Sequence, residues 1–479
     1  RSVPRSCPPN WRHRMSRAGL LLLLLAQTPQ RGVRAEDPSP HSGCWLPSED
    51  ASESGADFSN GTWGECFVHR SPLQDQYYPG MESTYHHCKL HNVCIMGASK
   101  QASLIYVGSP GASALPRVFS ACPNNYRNAA WCTLQARTVS CSELGWLAQG
   151  PRKRRRPVRI VREPTYLTGR WKHGNVVENT FEGTFPHMYT LWQRFYGSLR
   201  LNDMRLFFLD TFALGRNVDW LDMFYNGDLI DQRTPSQVYC FHRVIVGTAL
   251  PFFDVPRPLA QRLLHAMIAA AYRSAGLTPF PAPRAAGGHG HPPGTLDPTR
   301  ALQVLVYLKR PSHGTKMGGC ISNPSVLDEA FQAMGHRYGT HPLNVTILRS
   351  WKGLTPTDQV RLLSATDLYI SDGGTAGFVG LFLRPGSAAI RTAKCPRKLG
   401  CHCPASSHTV SWWYALNAND ALYLWYAQPR ALKCEATFTF SDVQLDPQTW
   451  NATVHEALAY VTQHKAREAT DEAPVRQTW

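Results

Sequence analysis

The sequence lacks the patterns by which many proteins hold a metal ion or cross a membrane. No Asp-x-Asp triplet occurs among its 479 residues, so a divalent cation held by two neighbouring carboxylates is not expected. The histidines and cysteines at 86–94 are followed by no Cys-x-x-Cys or His-x-x-x-His element at ligand spacing, so no zinc site is expected. Outside a short leucine-rich run at 18–26, no segment is apolar for long enough to span a bilayer.

Charged side chains are also scarce. They make up 18 % of the residues, whereas 43 % are hydrophobic, which is typical of a globular protein. The length allows two or three domains, each with its own core. The formal net charge is nevertheless +16, and part of the excess is clustered at Arg152–Arg156. A basic surface favours anionic ligands such as acidic glycans or membrane headgroups.

The amino-terminal segment is typical of a secretory signal peptide. A basic residue after Met15 precedes the apolar core at 18–26, and a small-x-small pattern ends at Ala35. We therefore predict a leader and signal peptide at 1–35, with an uncleaved short anchor as the alternative. The mature chain is expected in the lumen of the Golgi or endoplasmic reticulum, or outside the cell. Nucleic acid is not an expected partner there, and the membrane is one only if the apolar core stays uncleaved.

Cysteine usage agrees with an oxidising compartment. Seven of the fourteen cysteines lie between Cys44 and Cys141, and such crowding in a secreted chain predicts disulfides. Cys88 and Cys94 are disulfide candidates, because their six-residue separation would allow a small closed loop. Three Asn-x-Thr sequences are potential glycosylation acceptors, at Asn60, Asn344 and Asn451.

Changes in composition divide the rest of the chain. Residues 36–156 are rich in Cys, Ser, Gly and Asn, which predicts a disulfide-stapled stem or cap. Short β-branched and aromatic runs alternate with helical patterns at 157–278, which predicts an N-terminal α/β lobe. A Pro/Gly-rich linker is predicted at 279–299, and a second α/β lobe at 300–479. The predicted fold class is therefore α/β, with two lobes behind a cysteine-rich N-terminal region.

Three helices are predicted in more detail. Apolar residues recur at helical spacing from Pro258 to Gly276, where the glycine suits a carboxyl-terminal cap. A second helix follows Thr355 or Thr357, either of which suits the N-cap position. A terminal helix is predicted at Asp446–Lys465.

The stretch from Asp367 to Ile390 predicts a strand, a glycine turn, a helix, a second turn and a second strand. Such a turn lies at the carboxyl end of a strand, where free backbone N–H groups of the next helix favour an anion. The glycines tolerate positive φ and let a ligand approach the backbone. The alternative is an ordinary buried corner between two strands.

Six segments occur in a characteristic order along the chain. They are CKLHNVC at 88–94, GNVVENTFEGTFPHMYTL at 174–191, VYCFHRVIVG at 238–247, LVYLKRP at 305–311 with Asn323 downstream, TDQV at 357–360, and the stretch at 367–390. Together they resemble the motifs of glycosyltransferase family 61.

The sequence departs from the family pattern at several positions. Asp372 or Gly373 stands where the family has its signature histidine. Glu178 and Glu182 replace the histidine and the aspartate of the second segment. Lys316 is at best the counterpart of a second arginine that the family has after the fourth segment.

The resemblance implies a GT-B-like arrangement of two Rossmann-type lobes and an inverting sugar transfer. The donor would be a UDP-sugar carrying N-acetylglucosamine, xylose or arabinose, and the acceptor a glycan or glycoprotein. The nucleotide-sugar would be a co-substrate, and no cofactor or metal is expected, because the sequence contains no Asp-x-Asp triplet.

The donor diphosphate would be bound by cationic side chains and by the glycine turn of the second lobe. Arginine suits bidentate phosphate contact, and free backbone N–H groups at a helix start supply further donors. The candidate residues are Lys309, Arg310, Lys316, Asp372, Gly373, Gly374 and Thr375.

An inverting transfer needs a base that takes the proton of the acceptor hydroxyl. Glu182 is the first candidate, because it keeps the family's carboxylate, and Glu178 is the second. Their four-residue spacing puts both on one face of a helix, where repulsion or burial would raise one pKa. The alternative is that both are solvent-facing helix residues.

Two other functional classes stay open from the sequence. One is a lumenal pseudoenzyme or glycan-binding protein that keeps the fold after losing the signature histidine. The other is a secreted cysteine-rich structural protein, which no nucleotide should stabilise.

Overall fold

The computed structural model describes the following residues: 45–46, 56–70, 84–97, 102–108, 112, 114–120, 133–149, 158–169, 204–210, 218–224, 230–234, 237–247, 257–280, 300–308, 321, 323–371, 375–392, 395–396, 421–426, 440–441 and 444–471. They form a mixed α/β fold with two large sheets, one of mixed strand direction and one mostly parallel.

The first sheet is built from ten of the described strands. They are β3 (Trp63–Arg70), β4 (Thr84–Gly97), β5 (Ala102–Val107), β6 (Val118–Ser120), β7 (Thr133–Val139), β8 (Val158–Val161), β9 (Thr165–Thr168), β10 (Arg205–Phe208), β11 (Ile230–Gln232) and β12 (Val238–Gly247). The order is β11-β10-β9-β12-β4-β5-β7-β6, with β3 paired to β4 and β8 to β12. Two short strands, β1 (Trp45–Leu46) and β2 (Ala56–Asp57), pair with each other.

Residues of the predicted stem form part of this sheet. β12 pairs with β4 in antiparallel register from Val238 opposite Met96 to Gly247 opposite His87. The predicted boundary near residue 156 therefore does not divide the sheet, because strands from both sides of it hydrogen-bond to each other. ASLIYV, whose apolar and β-branched residues predict a strand, is β5 of this sheet and pairs with β4 and β7, so it too connects the predicted stem to the sheet.

The second sheet has the strand order β14-β15-β13-β16-β17-β19. The strands are β13 (Leu302–Tyr307), β14 (Arg337–Tyr338), β15 (His341–Leu348), β16 (Leu368–Ser371), β17 (Ala388–Thr392) and β19 (Leu422–Tyr426). All neighbours are parallel except β14 and β15. The small pair β18 (Cys395–Pro396) and β20 (Phe440–Ser441) is antiparallel.

The α-helices of the described chain are α1 (Cys141–Gln149), α2 (Val218–Asp222), α3 (Arg257–Ser274), α4 (Ser325–Ala333), α5 (Pro356–Ser364) and α6 (Pro447–Asp471). α3, α5 and α6 confirm the three predicted helices. α3 is followed by Gly276 at φ +70°. α5 begins after Thr355, whose side chain accepts a hydrogen bond from the Asp358 N–H while the Asp358 carboxylate accepts from the Thr355 N–H.

The helix predicted after the glycine turn is a 3₁₀ helix, at Thr375–Phe382. Two of its residues, Gly377 and Gly380, have low α-helix propensity, which is consistent with the tighter and shorter form. The strands on either side, β16 and β17, are present as predicted, and Gly386 adopts φ +71° in the second turn.

A shared hydrophobic core joins the two sheets through α3. It includes Leu206 of β10 and Ile245 of β12 as well as Tyr369 of β16. The Tyr272 hydroxyl of α3 donates to the Phe382 carbonyl at 2.8 Å. A separate core on the other face of the second sheet contains residues of α4 and α6. The face of the second sheet that carries the 3₁₀ helix is therefore the face turned towards α3.

Cys88 and Cys94 are both disulfide-bonded, but not to each other as the small-loop interpretation had it. Cys88 is bonded to Cys66, and Cys94 to Cys240. Both lie on β4, whose extended backbone places residues six apart at about 20 Å, too far for one disulfide. Each cysteine is instead opposite its partner on a neighbouring strand.

No helix within the described ranges is long and apolar enough to cross a membrane.

Candidate functional site

Three strands of the second sheet end at one level, next to the predicted glycine turn. Tyr307 of β13, Ser371 of β16 and Arg391 of β17 are neighbours in the parallel register. Residues two positions earlier, such as Tyr369 and Ala389, belong to the core shared with α3, so all three side chains start from that face. Ligands in open α/β sheets bind outside the carboxyl ends of the strands, which is where this row lies.

Arg391 is the principal cation of this row. It is 1 % exposed, and its guanidinium lies directly against Gly377 of the 3₁₀ helix. A Cβ atom at position 377 would be 2.7 Å from Arg391 Nε, so the arginine fits there only because residue 377 is glycine. A charge withdrawn from water acts over a longer distance than an exposed one. Arg391 is therefore a buried cation at this edge of the sheet, where pairing with a negative charge is favourable.

Two hydroxyl groups end the strands on either side of the turns. Ser371 is the last residue of β16 and Thr392 the last of β17, and both side chains are buried. Within the described part of the chain, neither hydroxyl oxygen has a hydrogen-bond partner. A buried hydroxyl without a partner is costly, so both groups are suited to bond with the adjacent turns or with a ligand.

Aromatic side chains extend the same edge on the β15 side. The rings of Tyr307 and Trp351 are stacked, with centroids 5.4 Å apart and an angle of 11° between the planes. Trp351 follows the end of β15 and is half-buried, and its Nε1 atom has no hydrogen-bond partner among the described residues. The edge thus combines flat aromatic surface with a buried cation.

Most of the residues predicted to bind the donor or to act as base lie outside the described residues. This holds for Lys309, Arg310, Lys316, Asp372, Gly373, Gly374, Glu178 and Glu182. Thr375 is the first residue of the 3₁₀ helix. The described strands nevertheless show where β13 and β16 end relative to each other, because Tyr307 and Ser371 are register neighbours. The chain that leads to Lys309 therefore leaves the sheet beside the chain that leads to Asp372.

Asn323, which was matched to a family motif, has a structural role. Its Nδ2 atom donates to the Leu445 carbonyl at 2.8 Å, and the Leu445 N–H donates to its Oδ1 atom at 2.7 Å. Both polar atoms of the amide therefore hydrogen-bond to the Leu445 backbone, which connects the start of α4 to the segment before α6. The side chain is therefore not directed at the carboxyl edge.

Sequence reasoning missed Arg391 and the Ser371 hydroxyl. The signal for Arg391 was present, since an arginine stands in the otherwise small and apolar strand AAIRT. A charged residue in a strand that is buried along its whole length is rarely tolerated without a purpose.

The first sheet has its own polar cluster at the carboxyl ends of β9, β10 and β11. It consists of Thr168, Asp210 and Arg233, all at most 3 % exposed. Arg233 Nε donates to the Leu209 carbonyl at 2.7 Å. Burial lowers the Arg233 pKa, while the negative charge of Asp210 acts in the opposite direction. The two charges thus stabilise each other inside the protein.

The three glycosylation acceptors differ in exposure. Asn60 lies in an exposed turn, and Asn344 is exposed on β15, where its amide donates to Gln303 Oε1 at 2.8 Å. Asn451 is half-buried within α6, and the hydroxyl of Thr453 donates to the Thr449 carbonyl at 2.8 Å.

Exchange of Gly377 for alanine is expected to destabilise the protein by about 1–3 kcal/mol, because the new Cβ atom would force Arg391 to move within a packed core. The free energy of unfolding in urea measures the effect. Gly145→Ala is the matched control, since a Cβ at this position of α1 meets no atom within 4 Å. The control should be neutral or stabilising by up to about 1 kcal/mol. Equal effects of the two changes would contradict the packing of Arg391 against Gly377.

In comparisons with known proteins, no family model matches the chain and no curated protein matches it significantly. Among the described residues, no group of three or more His, Cys, Asp or Glu side chains is placed to hold a metal ion. What defines the site is therefore its own chemistry: an α/β sheet with a buried cation and two hydroxyls at its carboxyl edge.

Proposed function

We propose that this chain is an inverting glycosyltransferase of the secretory pathway. It transfers N-acetylglucosamine, xylose or arabinose from a UDP-sugar to a glycan or glycoprotein acceptor. The observation that carries the proposal is the buried Arg391 beside Ser371, at the carboxyl edge of a parallel sheet and against Gly377 of the 3₁₀ helix. A donor diphosphate is the anion that this arrangement suits best.

The order of sequence motifs supports the same proposal. The segment CKLHNVC lies on β4 and VYCFHRVIVG forms β12, and the two strands pair side by side in the first sheet. Two sheets that share a core through α3 are compatible with a GT-B arrangement. Disulfides such as Cys66–Cys88 and Cys94–Cys240 are typical of an oxidising compartment, which supports a lumenal or secreted protein.

The reaction proposed is a single displacement. Glu182 accepts the proton of the acceptor hydroxyl, and the hydroxyl oxygen forms a bond to the anomeric carbon on the face opposite the diphosphate. The bond from that carbon to the diphosphate oxygen breaks, and its electron pair leaves with UDP. Lys309, Arg310 and Lys316 neutralise the departing charge by direct contact, while Arg391 acts on it from the end of β17.

A thermal-shift screen with nucleotides tests the proposal. UDP should raise the unfolding temperature, because a ligand at 100 times its Kd stabilises the native state by about 2.7 kcal/mol. GDP and CMP should shift it less, and a UDP-sugar panel should then identify the donor by release of UDP. Absence of both a UDP shift and UDP release in the presence of glycan acceptors would overturn the proposal.

The Arg391→Met variant links the shift to the site. We expect its UDP affinity to fall by about tenfold, or about 1.4 kcal/mol, because the charge is lost while the length of the side chain is kept. Arg337→Met on β14 is the control, since this exposed arginine belongs to an outer strand of the same sheet. Unchanged UDP affinity in Arg391→Met would separate the nucleotide site from this edge.

A further inference from the structure

Trp63, His91 and Arg243 form a row across three antiparallel strands of the first sheet. Trp63 of β3 is opposite His91 of β4, and His91 is opposite Arg243 of β12. The next row on the same face contains Glu65 and Lys89. We refer to these two rows as the Trp63 face.

The indole of Trp63 is held as a flat platform. Its ring stacks on the His91 imidazole with centroids 3.9 Å apart and planes 2° from parallel. Trp63 is 49 % exposed, since His91 covers one side of the ring. In the described part of the chain, β3 pairs only with β4, so no strand covers the other side. A single exposed apolar residue is common. A tryptophan that is fixed in a stack differs, because its side chain loses little further conformational entropy when a ligand binds to the open face of the ring.

The charges around the platform are predominantly positive. Arg243 is exposed, Lys89 is half-buried, and Arg162 is exposed nearby. The pKa of His91 is lowered by burial and then by Lys89 and Arg243, which outweigh the opposite effect of Glu65. The pKa of His242 is lowered by burial and then by Arg162 and Arg243. Arg243, Lys89 and Arg162 thus outnumber Glu65 around the platform, and this balance of charged side chains favours an anionic ligand.

The spacing of the groups selects the size of the ligand. Trp63 and Arg243 are two strands apart, which corresponds to about 10 Å across the sheet. One sugar ring stacked on Trp63 would therefore leave Arg243 to the neighbouring ring of the same chain. Arginine binds carboxylate and other oxyanions through two parallel N–H donors, whereas a pyranose presents an apolar face that suits an indole.

We propose that the Trp63 face is a binding site for an acidic oligosaccharide, in which one sugar ring stacks on Trp63 and the carboxylate or sulfate of the next ring binds Arg243. The proposal does not depend on the proposed function. It would hold an acidic glycan to the first sheet whether or not the second sheet binds a nucleotide.

Binding of defined tetrasaccharides to the full secreted chain tests the proposal. The probes are unsulfated chondroitin, which carries carboxylates only, chondroitin sulfate, which carries both acidic groups, and the neutral N-acetylglucosamine tetramer. Isothermal titration calorimetry should give at least tenfold tighter binding of an acidic probe than of the neutral one. Equal affinity for the two acidic probes assigns the carboxylate to Arg243, and a preference for the sulfated probe assigns the sulfate.

Two variants and two controls locate the site. Trp63→Ala should weaken binding of acidic and neutral probes alike, by about tenfold, while Trp63→Phe should keep most of the affinity. Arg243→Ala should weaken only the acidic probes, by about 10- to 100-fold. The controls are Trp146→Ala, which removes another exposed tryptophan, and Arg337→Ala, which removes another exposed arginine.

Several results would overturn the proposal. Unchanged affinities in both Trp63→Ala and Arg243→Ala would exclude the Trp63 face. An equal loss in Arg337→Ala would show that the acidic probes respond only to the net charge of the chain. Unfolding temperatures of all variants should stay within a few degrees of the unmodified chain, because the replaced side chains are exposed. If Trp63→Ala lowers the unfolding temperature, the affinities of the Trp63→Phe and Arg243→Ala variants test the proposal instead. Affinity that is mostly kept in Trp63→Phe, together with a loss in Arg243→Ala for the acidic probes alone, would support it, and unchanged affinity in Arg243→Ala would overturn it.

Discussion

Exchange of Glu182 for glutamine is expected to lower the turnover of sugar transfer by about 10²–10⁴-fold, the usual contribution of a general base. Glutamine keeps the size of the side chain but cannot accept the proton of the acceptor hydroxyl. The affinity for UDP should stay unchanged, since the diphosphate is assigned to cationic side chains and backbone N–H groups. Initial rates of UDP release, with and without acceptor, and a UDP titration measure the two effects separately.

Glu178→Gln is the matched control for this prediction, because it removes a carboxylate four residues away in the same predicted helix. We expect a smaller loss, together with a shift of the pH–rate profile if Glu178 raises the pKa of Glu182 by repulsion. A Glu182→Gln enzyme with full activity would exclude Glu182 as the base. Asp210, buried at the end of β10, would then be the next carboxylate to replace.

The sequence predicted those parts of the fold that depend on local signals. The Thr355 cap of α5 and the glycine that follows α3 are fixed by neighbours within one turn of helix. Within the stretch from Asp367 to Ile390, the two predicted strands, the helix and the turn at Gly386 are present, although the helix is of the 3₁₀ type. The glycine turn itself lies outside the described residues. In each case the backbone preference of a few residues decides the structure.

Features that depend on distant pairing were not predictable in this way. Cys94 is joined to a cysteine 146 residues away, and no local spacing indicates which of the other cysteines is its partner. The packing of Arg391 against Gly377 depends on the crossing of β17 beneath the 3₁₀ helix. The Trp63 face exists only because three strands from different parts of the chain are in register.

The same distinction holds for the candidate site. The glycine turn is a prediction from its residue types, because glycine followed by a short helix has a direct chemical meaning. Arg391 acts through its burial, and burial is a property of the whole sheet. We expect the contact residues of the turn to determine which nucleotide binds, while Arg391 determines how strongly any diphosphate is attracted.

Removal of the Cys94–Cys240 disulfide is expected to cost about 5 kcal/mol of stability. The bond closes a loop with a sequence separation of 146 residues. In the chain-entropy model, the stability that is lost when a disulfide is removed rises with the length of the loop that it closes. The loop contains β5 to β11, so most of this sheet depends on the bond. The Cys94→Ala/Cys240→Ala double variant removes the bond without leaving a free thiol in the core, where both cysteines are fully buried.

The Cys66→Ala/Cys88→Ala double variant provides the comparison. Its bond has a sequence separation of 22 residues, for which the same model gives about 3 kcal/mol. Urea unfolding followed by limited proteolysis should therefore rank the Cys94/Cys240 variant as the less stable of the two. The opposite order would mean that β4 and β12 stay paired in the unfolded ensemble without the bond, because residual pairing removes the entropy that the disulfide would otherwise restrict. The long antiparallel register of β4 and β12 would then hold the first sheet together by itself, and the disulfide would only lock a contact that forms without it.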